Sequence, residues 1–171
     1  MRRARIALLA VPLTMLLAGC VGEPEPEPTP LTAAEACAAL GDAVDEFYET
    51  VSPGSTTEEL VPHDLPEVNG FRIPQPSCAF QITPDPAVAP GDVFTIESFY
   101  LDYAEDMTVS LPAALEAAGF VRKNPEFTTW SAAKLGRSYS AAMLLFQPGD
   151  GQAFSDAADH FRVLDLTLSK T

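Results

Sequence analysis

Ser131-Ala132-Ala133-Lys134 sets a hydroxyl and an amine three residues apart, the spacing at which a lysine on a helix can take the proton of a serine nucleophile. On a strand the same spacing turns the two side chains to opposite faces. Residues Phe127 to Lys134 read as strand, so Ser131 and Lys134 are expected to stay apart. His63-Asp64 and Asp159-His160 each put a carboxylate beside an imidazole, the pairing that orients a general base. No serine stands in a G-x-S-x-G setting to use either, and both histidines are expected at the surface. Asp102, Glu105 and Asp106, and separately Asp150 and Asp156, carry charge enough to attract calcium but lack the spacing of a calcium loop. There is no H-E-x-x-H, C-x-x-C, P-loop or G-x-G-x-x-G. No catalytic residue, metal site or cofactor is therefore expected.

The cysteines point to a different chemistry. Met1 to Arg5 holds three arginines and no acid, and Ile6 to Leu17 is apolar apart from Pro12 and Thr14. This is the build of a secretory signal, shorter than the roughly 20 residues that a spanning helix needs. It runs into Leu17-Ala18-Gly19-Cys20, which resembles the lipobox of bacterial lipoproteins. The resemblance implies a signal peptide over residues 1–19 and a mature N-terminus at Cys20, its sulfur carrying a diacylglycerol and its amine sometimes acylated. An ordinary export signal that happens to end at Cys20 is the competing reading. Two acyl chains hold a protein stably on a membrane at about 0.8 kcal/mol per buried CH2, where one does not. The expected location is the extracytoplasmic face of the cell membrane, anchored by lipid. The S-x-x-K of Ser131 also resembles that of β-lactamases and penicillin-binding proteins. Their S-D-N and K-T-G partners are missing, since Lys170-Thr171 has no glycine after it.

Residues 20–30 continue from the anchor as a spacer. Prolines 24, 26, 28 and 30 favour extended polyproline II, and Glu23, Glu25 and Glu27 repel one another and an anionic lipid surface. The 171-residue chain carries 10 Lys and Arg against 24 Asp and Glu, a formal charge of −14, and loss of Arg2, Arg3 and Arg5 with the leader deepens it. Nucleic acid is excluded as a partner on that balance, because phosphate binding needs clustered basic residues. Cations and basic proteins remain compatible.

Residues 31–171 are expected to form one extracytoplasmic domain. A helix from Leu31 to about Tyr48 opens with the capping box Thr32 and Glu35 and buries Cys37, Leu40, Val44, Phe47 and Val51. Prolines 53, 62, 66, 74 and 76 break every period from Pro53 to Ser77, so an irregular excursion with at most short strands is expected. With Cys20 committed to lipid, Cys37 and Cys78 are expected to pair as a disulfide that tethers it. Free buried thiols, or a metal site with His63 or His160, are the alternatives. Strands are expected at Cys78 to Ile82, Val93 to Tyr103, Phe127 to Lys134, Ser138 to Gln147 and Arg162 to Leu168. A second helix, Ser110 to Phe120, would be capped by Ser110 and closed at Gly119 with Phe120 against Leu115. A glycine turn at Pro148 to Gly151 and a short helix at Ser155 to His160 complete the pattern.

The fold class is thus α+β in the order α-β-β-α-β-β-β, a mostly antiparallel sheet of about five strands with two main helices packed on one face. Phe94, Phe99, Tyr100, Tyr103, Trp130, Tyr139 and Phe146 fall on its strands. They are core, or they line a groove between the Pro-rich excursion and the sheet. Function follows only in outline: a membrane-anchored lipoprotein acting as a non-catalytic binding or accessory module of the cell envelope. An envelope hydrolase and a structural surface lipoprotein are the competing classes.

Overall fold

The computed structural model describes residues 31–124, 128–146 and 161–171. Helix α1, Ala33–Val51, begins at the anticipated capping box: the Glu35 amide donates to Thr32 Oγ1 and the Thr32 amide to Glu35 Oε2 at 2.8 Å. It buries Ala36, Leu40 and Val44, and its lower stripe ends in the open, with Phe47 and Val51 exposed. The excursion that follows is more ordered than its prolines suggest. It holds strand β1, Thr56–Leu60, a single 3-10 turn at Pro62–Asp64, and a miniature hairpin of β2, Glu67–Val68, and β3, Phe71–Arg72. Asn69 and Gly70 join β2 to β3 at φ 51 and 82, both in the left-handed region that a two-residue type I′ turn requires.

Strands β4, Cys78–Thr83, and β5, Phe94–Leu101, lie where expected. Helix α2, Met107–Ala117, starts one turn before Ser110, which sits inside it, and contains Pro112. The early turn closes through Val109 and Ser110 amides on the Asp106 carbonyl, with Thr108 Oγ1 on the Glu105 carbonyl at 2.7 Å. Its far end is as anticipated. Gly119 at φ 87 lets the Phe120 amide reach the Leu115 carbonyl at 3.0 Å, and both side chains enter the core. Then come β6, Val121–Arg122, β7, Thr129–Lys134, β8, Arg137–Phe146, and β9, Val163–Lys170. Leu135 and Gly136, φ 53 and 77, turn β7 into β8. The expected turn at 148–151 and helix at 155–160 lie outside the described residues.

The main sheet has seven strands rather than five, in the order β1-β4-β5-β9-β8-β7-β6, every neighbour antiparallel. The extra members are the short strands β1 and β6 at its two edges, where little apolar periodicity marks them. The helices lie on opposite faces rather than on one, and β5 and β9 are the reason. Ile96 and Tyr100 on β5, with Leu164, Leu166 and Leu168 on β9, pack with α2 and the β2–β3 hairpin, including Leu111, Leu115 and Phe71. Phe99 and Val163, on the alternate positions, pack with Leu40 and Val44 of α1 and with Phe80 and Ile82 of β4. A strand that is apolar on both faces needs cover on both. The disulfide between Cys37 and Cys78 staples α1 to β4. Across the sheet, Lys170 at the end of β9 is ion-paired with Asp92, which Arg137 also contacts at 3.2 Å.

Candidate functional site

Alternation along the central strands puts three rows of side chains on the α1 face. The first row crosses four strands as Ser131, Ser140, Ser169 and Thr95, each opposite the next. The second runs Thr129, Ala142, Thr167 and Glu97, and meets Phe80 of β4. The third holds Leu144, Asp165 and Phe99. Helix α1 covers the β1-β4-β5 side, so Phe80 and Phe99 are buried, while Thr129, Ser131, Ser140, Ala142, Thr167 and Ser169 are half-exposed. The open half is floored by hydroxyls and methyls, side chains too short to fill the space above them. A depression of about 270 Å³ lies there, bounded by Lys123 on the β6 side and by Thr167 and Ser169 on the α1 side.

Where the covered and open halves meet, two acids are buried. Glu97 and Asp165 are each 4 % exposed. The Tyr48 hydroxyl, reaching down from α1, donates to Glu97 Oε1 at 2.8 Å, and Thr167 Oγ1 donates to Asp165 Oδ2 at 3.1 Å. Glu97 Oε2 and Asp165 Oδ1 have no hydrogen-bond partner among the described residues. Burial pushes both carboxyls above the usual range, Asp165 further because the Glu97 charge adds to it. Tyr48 is likewise pushed up, first by burial and then by Glu97. Held protonated by burial, each carboxyl can also donate one hydrogen bond, and the half-exposed hydroxyl rows beside the pair can both give and accept.

Sequence reasoning missed this pair. Its signal was an acid within a strand rich in apolar residues: Glu97, with Ser98, between Ile96 and Phe99, and Asp165 between Leu164 and Leu166. The residues that the sequence did single out are placed as follows. Ser131 and Lys134 share β7 but alternate, so Ser131 joins the hydroxyl row and Lys134 turns to the other face. His63 is exposed and lies 3.4 Å from the carboxylate of its neighbour Asp64. Glu105 pairs with Arg162 at 3.3 Å, and Arg162 lies over the Tyr103 ring. Tyr100 and Trp130 are core, packed with Val68, Phe71 and Ile73 of the excursion. The Tyr100 hydroxyl donates to the Pro74 carbonyl at 2.7 Å, so the space foreseen between excursion and sheet is filled. Cys20, Asp150, Asp156, Asp159 and His160 lie outside the described residues.

A second depression, about 360 Å³, separates α1 from β1 beneath Asp42, Asp45 and Glu59, all exposed to solvent. Among the described residues no three His, Cys, Asp or Glu side chains converge as metal ligands. Nor is any described helix long and apolar enough to cross a membrane. Compared with protein-family models, curated proteins and solved structures, the chain matches none.

Proposed function

We propose that this chain is a lipid-anchored extracytoplasmic lipoprotein whose folded domain, residues 31–171, is a non-catalytic binding module of the cell envelope. Cys20 carries the lipid and residues 20–30 hold the domain off the membrane. The lipobox and the charge of the spacer support the anchoring half of the reading. The binding half is carried by one observation: an open sheet face of short hydroxyl side chains that ends at two buried, unpartnered carboxyl oxygens. Binding surfaces are concave and combine a few placed polar groups with a rigid scaffold, and a seven-stranded sheet covered elsewhere on both faces supplies such a scaffold.

Two measurements test the reading. The wild-type chain made in a bacterial host fed an alkyne fatty acid should take up the label and sediment with membranes, whereas Cys20→Ser should do neither. Native mass spectrometry of the gently purified Cys20→Ser chain should show an added mass that disappears when Ser140→Leu blocks the open face. An unlabelled wild type would overturn the anchor. Absence of any added mass, together with no protein crosslinked to that face in cells, would overturn the binding module.

A further inference from the structure

Strand β1 ends the sheet: among the described residues it is hydrogen-bonded to β4 alone, so one side of its backbone has no strand beside it. An edge of this kind is a template for one more strand. The opposite edge, β6, is two residues long, whereas β1 offers five. Register with β4 fixes the faces of β1. Thr57 and Glu59 stand opposite Ile82 and Phe80 and so face α1, while Thr56, Glu58 and Leu60 face the other way. Helix α1 turns Ala38 and Gly41 toward this border, and side chains that small leave the depression of about 360 Å³ between helix and strand. We propose that the free edge of β1 takes an extended basic segment of a partner protein as an added strand, with lysine or arginine side chains at alternate positions lying in the depression between β1 and α1. This edge is separate from the open hydroxyl face, which lies beyond α1 on the β9-β8-β7 side.

Charge decides the occupant. Asp42 and Asp45 line the depression from the helix and Glu59 from the strand; all three are exposed, and none has an ion pair among the described residues. On an added strand, residues opposite Thr57 and Glu59 share their face, which sends every second side chain toward those carboxylates. A lysine or arginine there lays its methylene stem along Ala38 and Gly41 and keeps its charge at the rim. Glu58, exposed on the other face, adds to the same preference. A second copy of the chain is a poor occupant, because pairing β1 with β1 would set Glu58 and Glu59 against the same carboxylates of the other chain. A free polyamine would meet the acids and leave the main-chain groups of the edge unused. The gap is also set in advance: the Cys37–Cys78 disulfide pins α1 to β4, and Cys37 itself borders the depression.

The experiment titrates the full chain, in non-ionic detergent at about 0.01 M salt, with acetyl-Lys-Val-Lys-Val-Lys-amide, whose lysines share one face when extended. The peptide should bind, and hydrogen exchange at residues 56–60 should slow in the complex. A counterpart N-methylated at every residue keeps the charge but donates no main-chain hydrogen bond, and should bind about tenfold more weakly. The glutamate counterpart, acetyl-Glu-Val-Glu-Val-Glu-amide, should not bind. Asp42→Asn, Asp45→Asn and Glu59→Gln combined should weaken the lysine peptide about tenfold. All three positions are exposed, and thermal melts establish that the variant is folded. No binding of the lysine peptide, equal binding of its N-methylated counterpart, or binding that leaves exchange at residues 56–60 unchanged would each overturn the added strand. A chain that dimerises through β1 without peptide would also overturn it, in favour of a second copy.

Discussion

Glu97 and Asp165 sit two residues out of register on β5 and β9, facing Tyr48 from α1, with Phe80, Phe99 and Leu144 of β4, β5 and β8 packed round them. Neither acid has a cation beside it among the described residues, and burial is the largest influence on their protonation. Both hold protons above the ordinary carboxylate range in the folded chain and release them near pH 4 when unfolded. Between those values the folded state binds more protons than the unfolded state. Stability should therefore fall as pH rises through that window, by up to about 1.4 kcal/mol per pH unit for each proton. The urea midpoint of the wild type should be lower at pH 8 than at pH 5, and Asp165→Asn should flatten the difference. A wild-type midpoint that rises with pH would contradict the burial argument. Tyr48→Phe strips Glu97 Oε1 of its donor and should cost about 1–3 kcal/mol in the same denaturation assay.

Helix α1 shows how a local preference yields to packing. Gly41 lies over Phe80, and a Cβ there would come within 3.0 Å of the ring. Phe80 is 3 % exposed and set edge-on to Phe99, so the ring can give way only toward the depression between α1 and β1, at the expense of its packing on Phe99. Gly41→Ala should thus lower stability, by about 1–2 kcal/mol, although alanine is the better helix former by about 1 kcal/mol. The Cys37–Cys78 disulfide, spanning 41 residues, constrains α1, β1 and the hairpin together. Its replacement by two alanines should cost about 4 kcal/mol on the chain-entropy account, read as a fall in melting temperature. Elements with local signals were legible in the sequence: the capping box at Thr32, the Gly119 terminus, the Leu135-Gly136 turn. Asn69-Gly70 is as strong a turn signal as any of these, yet the surrounding prolines hid strands only two residues long. The site was not legible, because its residues come from strands that the order β1-β4-β5-β9-β8-β7-β6 brings together across long stretches of chain. Pairing partners of that kind are set by global packing, and only the acids inside apolar runs hinted at them.

The described residues form a sheet with two separate clusters of buried side chains, one under α1 and one under α2 with the hairpin. Two separate cores suggest two folding units, but β5 and β9 argue against it. Phe99 and Val163 serve one core, while Ile96, Tyr100, Leu164 and Leu166 on the same two strands serve the other. Losing either core exposes one face of both central strands, and with it the support that the remaining core needs. Leu40→Ala beneath α1 and Leu115→Ala on α2 should each cost about 2–5 kcal/mol, since both side chains are fully buried. Because they share no contact, the double variant should lose the sum of the two to within about 0.5 kcal/mol. Fluorescence of Trp130, which reports the α2 core, and far-ultraviolet circular dichroism, which reports the whole chain, should follow one transition in every variant. If Trp130 fluorescence held steady while Leu40→Ala lost half of its structure, the two faces would be independent. The open half of the α1 face would then rest on a scaffold that the helix above it does not help to hold.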